Sequence, residues 1–208
     1  AIYTQQLLCT SGGALDDWKA ISTLKPPIEL QLVYIPFDSA AGSDLLDHSI
    51  RQDVDAVEQT LKIPACPDWA RPSDGLTALI VASHTGNLQV VECLLEAAAD
   101  CNKAETSSGA NPVLVASQEG HPEVVKALCQ ARADTNRPMR GSVTALYMAA
   151  QHGNLNVVEL LCQAQADLNA TQTDKFTPLC IAAQYGHLQV VQHLVSLRAD
   201  ARVPVHNG

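Results

Sequence analysis

Aromatic side chains are scarce in this sequence: Phe, Trp and Tyr make up 4% of its 208 residues. The 47% of residues that are apolar can still build a core, and Ala, Val and Leu suit thin helical layers. Positive charge is short as well. Lys and Arg number 13 against 22 Asp and Glu, a net charge of −9. That balance argues against duplex nucleic acid, whose phosphates need a basic face to neutralise them. The deficit is uneven: residues 1–72 carry ten acidic and five basic side chains, while residues 107–208 are near neutral. No apolar run reaches the roughly 18 residues of a membrane-spanning helix. No secretory signal is visible, although Ala1 is not an initiator Met and the natural N-terminus can lie further upstream.

The usual constellations of site chemistry are missing too. No Cys-x2-Cys or His-x3-His pair exists among the seven cysteines and seven histidines, so a zinc site is not expected. Ser83 and His84 are adjacent in sequence, which does not bring a nucleophile to its base, and Ser83 falls at a packing position. Ser107, Ser108, Gly109 and Ala110 make a small turn, but no Gly-Lys-Ser/Thr follows to cradle a phosphate. Cys129 and Cys162 hold the same place in adjacent copies of the pattern described next. Packed helices lie about 8–10 Å apart, further than the roughly 4.4–6.8 Å between Cα atoms that a disulfide needs. They read as small core residues in a reducing compartment.

What the sequence does contain is periodicity. Gly86, Gly120, Gly153 and Gly186 are separated by 34, 33 and 33 residues, and Asp100, Asp134, Asp167 and Asp200 keep the same step. So do the openings Thr77-Ala78-Leu79, Asn111-Pro112-Val113, Thr144-Ala145-Leu146 and Thr177-Pro178-Leu179. A fixed period of this length is the mark of a repeat architecture. In each copy Thr or Asn can cap a helix by accepting a free backbone N–H, and proline suits the first helical position. A short helix with small residues on one side follows (Ala82-Ser83, Ala116-Ser117, Ala149-Ala150, Ala182-Ala183), and the glycine ends it in the left-handed conformation. A second helix carries one buried stripe, such as Val157, Val158, Leu160 and Leu161.

The T-P-L…A-A…G-H…V-V…L-L…A-D-x-N pattern over about residues 74–202 resembles ankyrin repeats. The resemblance implies a mainly α fold: a helix–turn–helix solenoid with a β-turn tip on each repeat. The repeats fall at residues 74–106, 107–139, 140–172 and 173–202, with a tail over 203–208. Ile80, Leu114, Tyr147 and Cys180 stand where the family usually has His, and Arg202 where it has Asn. Residues 44–73 read as a degenerate capping repeat and its connection. Leu45, Leu46 and Ser49 take first-helix positions, and Val54, Ala56, Val57 and Leu61 second-helix positions. The outer face is charged through Asp44, Asp47, Arg51, Asp53, Asp55 and Glu58, and Trp69 in the connection packs against a neighbour. Either the array continues past residue 208 or the last helix frays.

Residues 1–37 follow another pattern. A strand at 5–9, a Gly12-Gly13 turn, Leu15-Asp16-Asp17 and an alternating strand at 28–34 resemble the second half of a ubiquitin-like β-grasp domain. That implies a partial β lobe whose opening hairpin and helix would precede Ala1. Its apolar patch would map to Cys9 and Val33, and no free Gly-Gly end is left for conjugation. Residues 38–43 (DSAAGS) read as a linker.

The variable positions are candidates for recognition. The pairs before each turn glycine are His84-Thr85, Gln118-Glu119, Gln151-His152 and Gln184-Tyr185, and by the resemblance they line the concave face. With Arg140, Tyr147 and Phe176 they form the expected partner-binding set, weighted toward the last two repeats because Tyr, Phe and Arg suit interface hot spots. His121 and His187, alternating with Asn87 and Asn154, read as caps that hydrogen-bond turn backbone. The expected function is a non-enzymatic module, cytoplasmic or nuclear. It binds another protein, with no cofactor, metal, nucleic acid, membrane or small-molecule substrate. Two alternatives are an adaptor in ubiquitin-dependent degradation and a regulatory segment of a larger enzyme or channel.

Overall fold

The four openings cap helices as their chemistry dictates. In the computed structural model, which describes residues 6–9, 14–15, 30–33, 39–63 and 65–201, Thr77, Asn111, Thr144 and Thr177 each take the N-cap. Their side-chain oxygens accept from the N–H of Ile80 (3.3 Å), Leu114 (3.0 Å), Tyr147 (3.4 Å) and Cys180 (3.2 Å). Loss of such a cap costs typically about 1 kcal/mol. Pro112 and Pro178 fall in the first turn, where no donor is lost.

Among the described residues ten α-helices follow one another in pairs. They are α1 (Ser39–Ile50) with α2 (Val54–Leu61), α3 (Ala78–Thr85) with α4 (Leu88–Glu96), and α5 (Pro112–Glu119) with α6 (Pro122–Gln130). Then come α7 (Ala145–His152) with α8 (Leu155–Gln163), and α9 (Pro178–Gln184) with α10 (Leu188–Ser196). Each first helix packs on the first helix of the next pair, and each second helix on the next second helix. The chain is therefore a one-dimensional stack in which a repeat leans on its neighbours alone. Val90, Val91 and Leu94 of α4 are fully buried, as are Val125 and Leu128 of α6 and Val158 and Leu161 of α8. These stripes are the spacing read from sequence, closed into a continuous core.

The carboxyl ends of the helices explain the period. Gly86, Gly120 and Gly153 sit at φ 72°, 78° and 74°, a left-handed region cheap for glycine alone. The residues after Gly120, Gly153 and Gly186 reach backward by one repeat. His121 Nε2 bonds His84 O at 3.0 Å, Asn154 Nδ2 donates to Ser117 O at 3.1 Å, and His187 Nε2 bonds Gln151 O at 2.9 Å. Both histidines hydrogen-bond turn backbone as expected, but the turn belongs to the preceding repeat: His121, Asn154 and His187 stand at the N-caps of their own helices without a side-chain cap bond. The histidine rings are long enough to reach the preceding turn, and the missing Cβ of that turn's glycine gives them room. Asn87, with a capping pair in its own first turn, does what was expected (Val90 N to Asn87 Oδ1, 3.2 Å).

A second ladder ties the loops. Asn102, Asn136 and Asn169 accept, through Oδ1, the backbone N–H of Asp134, Asp167 and Asp200 at 2.7–2.8 Å. Asp68 plays the same part toward Asp100 N at 2.7 Å, so the irregular connection after α2 is a working repeat tip. The tips are bonded in turn: Thr106 N to Asp74 O (2.7 Å), Arg140 N to Ser108 O (2.8 Å) and Thr173 N to Gly141 O (3.0 Å).

The linker expected over 38–43 is corrected as well. From Ser39 these residues are helix, the opening turns of α1. Ala41 is buried, and Gly42 lies under the Trp69 ring with no room for a Cβ. Small residues there serve close packing instead of freedom. Asp44, Asp47, Arg51, Asp53, Asp55 and Glu58 are exposed around this first hairpin.

Three short strands are described near the N-terminus: β1 (Gln6–Cys9), β2 (Ala14–Leu15) and β3 (Leu30–Val33). They pair antiparallel in the order β2-β1-β3, with Leu7 opposite both Leu15 and Leu32. The apolar patch expected at Cys9 and Val33, the rest of the expected lobe and the 203–208 tail lie outside the described side chains.

Candidate protein-binding face

One flank of the stack is formed by the first helices and the tips, and it gathers most of the sequence-chosen residues. His84, Glu119, Arg140, His152, Gln184 and Tyr185 are exposed there. His84 Nε2 stands 3.9 Å from Glu119 Oε1, and Gln118 Nε2 donates to the same Glu119 oxygen at 3.0 Å. These three join α3 to α5 across the surface. Arg140, in a 3-10 turn (Arg140–Ser142), donates through its guanidinium to Thr106 O at 3.2 Å, which fixes it between two tips. His152 Nδ1 bonds Met148 O within α7. Tyr185, 55% exposed, stacks on His187 with ring centroids 6.4 Å apart.

Four of the chosen residues are half-buried. Thr85 turns its hydroxyl back to Ala82 O at 3.2 Å, and Gln118 and Gln151 present their amides from partly covered positions. Phe176 packs against the core from the tip of the last repeat. Tyr147 is a correction: at 6% exposure it belongs to the core. It occupies the same turn of its helix as Ile80, Leu114 and Cys180, and all four are buried because that turn faces the adjoining first helices. Burial raises the Tyr147 phenol above its ordinary value, helped by Tyr185 and Asp174 nearby.

The same flank holds a feature that the sequence analysis did not single out. A half-open groove of about 340 Å³ lies between the first two full repeats. Ile80, Val81 and Val115 floor it from α3 and α5, and Leu76 and Ala110 wall it from the tips. His84 and Glu105 stand at its rim. The Glu105 carboxyl is partly desolvated, which alone would raise it, but hydrogen bonds from Ser107 and Ser108 prevail and hold it below the usual range. A signal was available: the residue before each N-cap reads Leu76, Ala110, Val143 and Phe176, and the alanine is much the smallest.

Among the described residues no group of three His, Cys, Asp or Glu side chains is placed to hold a metal, and no helix is long and apolar enough to cross a membrane. Cys129 and Cys162 are free and partly buried against the core, on α6 and α8. Burial pushes both thiols up, Cys162 to about 11 with Glu159 contributing.

A family model described as ankyrin repeats, three copies, matches residues 45–139 and again residues 137–204. Neither match reaches residues 1–44, and the β-grasp resemblance gains no support there. No curated protein matches the chain. The two matches run from α1 to the last described residue, over the span where caps, glycines and loop asparagines repeat in register, and the chain belongs to the ankyrin-repeat family.

Proposed function

We propose that this chain is a non-enzymatic scaffold or adaptor, cytoplasmic or nuclear, that holds a protein partner against its concave face and tips. Ankyrin repeats indicate a protein–protein interaction module in general terms. The finer reading rests on one observation: Tyr185 is a large aromatic left 55% exposed on the flank formed by first helices and tips. A rigid, half-exposed tyrosine supplies contact area at little entropic cost, the kind of residue that anchors interfaces. His84, Thr85, Gln118, Glu119, Arg140, Gln151, His152, Phe176 and Gln184 form the contact field around that row. Tyr147, sealed in the core, takes no direct part in that field.

The test is affinity purification with mass spectrometry, run in parallel on the wild-type chain and on Tyr185→Ala. Partners retained by the wild type are expected to bind at least about tenfold more weakly to the variant, a hot-spot loss, while the two thermal melts coincide. Equal affinity for every recovered partner would overturn the assignment. Phe176→Ala is the less clean variant, since its ring packs on the core and the melt will fall too. Nothing in the described residues favours a role in ubiquitin-dependent degradation.

A further inference from the structure

We propose that the groove between the first two full repeats is an anchor site for an extended peptide. It takes one large apolar side chain beside a lysine or arginine; this rests on the protein-binding reading above but narrows it to the first two full repeats and names a partner chemistry. The ankyrin frame does not dictate such a groove. Its existence depends on two small residues. At the position before the N-cap the third and fourth repeats carry Val143 and Phe176, and both pack against the core. The second repeat carries Ala110 there. One turn into the first helix the later repeats carry Met148 and Ile181 where the second carries Val115. Ala110 and Val115 together vacate the space that bulkier residues occupy further along, and about 340 Å³ stays open above Ile80 and Val81. That volume is at the lower end of the range, about 300–1,000 Å³, in which proteins bind small apolar groups.

The rim decides the charge of the occupant. Glu105 overhangs the groove from the tip, held ionised by the hydroxyls of Ser107 and Ser108. Glu119 lies on the next first helix, 3.9 Å from His84 of the groove wall. No lysine or arginine lines the groove. The chain as a whole carries −9, so an approaching basic segment is drawn toward it from a distance. An apolar side chain on the floor, with its neighbouring lysine or arginine turned to Glu105 and Glu119, satisfies both the dry floor and the acidic rim.

A random peptide library displayed on phage, selected against the full chain, tests this directly. Enriched peptides, titrated as fluorescein conjugates by polarisation, are expected to share a large apolar residue close to Lys or Arg. Ala110→Phe, which places in the second repeat the residue found at 176, should weaken them roughly tenfold or more by filling the groove. Val115→Met, the residue found at 148, is the gentler filling and carries the test if the first variant does not fold. Glu119→Gln should weaken binding roughly threefold, as expected for one exposed charge, and flatten its salt dependence. Tyr185→Ala should leave these peptides untouched. Enrichment of peptides without the apolar–basic pair, or no enrichment, overturns the proposal. So does binding that survives both groove fillings. Peptides lost on Tyr185→Ala yet kept on Ala110→Phe would overturn the groove alone and leave the concave-face reading standing.

Discussion

A glycine that ends a first helix carries two constraints, and along this chain they separate. Gly153 has φ 74° and lies beneath the His187 ring; Gly186 has φ 77° and nothing within 4 Å of where a Cβ would stand. Alanine at Gly186 meets backbone strain alone, about 1–2 kcal/mol. At Gly153 it also drives into the ring that holds Gln151 O. Gly153→Ala is therefore expected to lower the urea midpoint clearly more than Gly186→Ala, and equal losses would show that the ring simply swings clear. The thiols give a second measurement at this scale. Cys162 is pushed up to about 11 from 9.0, so near pH 8 its thiolate is about 100-fold scarcer than that of an ordinary thiol. Labelling by a disulfide reagent should be slow in the folded chain and fast in urea. Because the folded value lies above the unfolded one, the neutral thiol contributes stability in full below about pH 9 and loses it as pH rises through about 11. The melt should fall across that window, and less so in Cys162→Ala.

At the scale of elements, the second helices of the four full repeats are each followed by a residue that geometry penalises. Ala98, Arg132, Gln165 and Arg198 hold φ of 62°, 63°, 62° and 63°, left-handed without being glycine. The strain costs about 1–2 kcal/mol per site, while glycine's extra unfolded-state entropy costs only about 0.5–1 kcal/mol. Gln165→Gly is therefore expected to stabilise the chain by up to about 1 kcal/mol, read as a rise in thermal midpoint; a fall would mean that the Gln165 side chain makes compensating contacts. Much of this architecture was legible beforehand, because caps and stripes are local. Thr77, Asn111, Thr144 and Thr177 bond donors three residues on, so spacing alone reveals them. Where the decisive contact spans repeats, the sequence misleads. Gly42 looks like linker until Trp69 is laid on it, and His121 looks like a cap until its ring is seen reaching His84. Tyr147 looks like a surface aromatic until the adjoining helices cover it. The groove at Ala110 hides for the same reason: a void is a property of the facing pair, and no single residue announces it.

For the whole molecule the governing fact is how completely each described layer is covered by its neighbours. The last described hairpin shows what covering on one side alone does. Val91, Val125 and Val158 are completely buried by the following repeat, whereas Val191 is only partly covered, and Ala183 is exposed where Ser83, Ser117 and Ala150 are sealed. Leu188, Val195 and Leu197 on the same hairpin are exposed as well. Each interior repeat draws stability from two described interfaces, and the α9–α10 hairpin from one. In a stack described by repeat and interface terms, a unit covered on one side opens with a smaller free energy than one covered on two. The first hairpin packs on one described neighbour as well, but His48 Nδ1 with Thr60 Oγ1 at 3.0 Å pins α1 to α2, and Trp69 clamps Gly42. Native-state hydrogen exchange should therefore show α10 amides exchanging first, with protection rising through α8 to α6. Adding low urea should steepen exchange in α6 more than in α10, since the interior opens by exposing more surface. Uniform protection from α4 to α10 would mean that the array unfolds as one unit, and the nearest-neighbour description would fail for this protein.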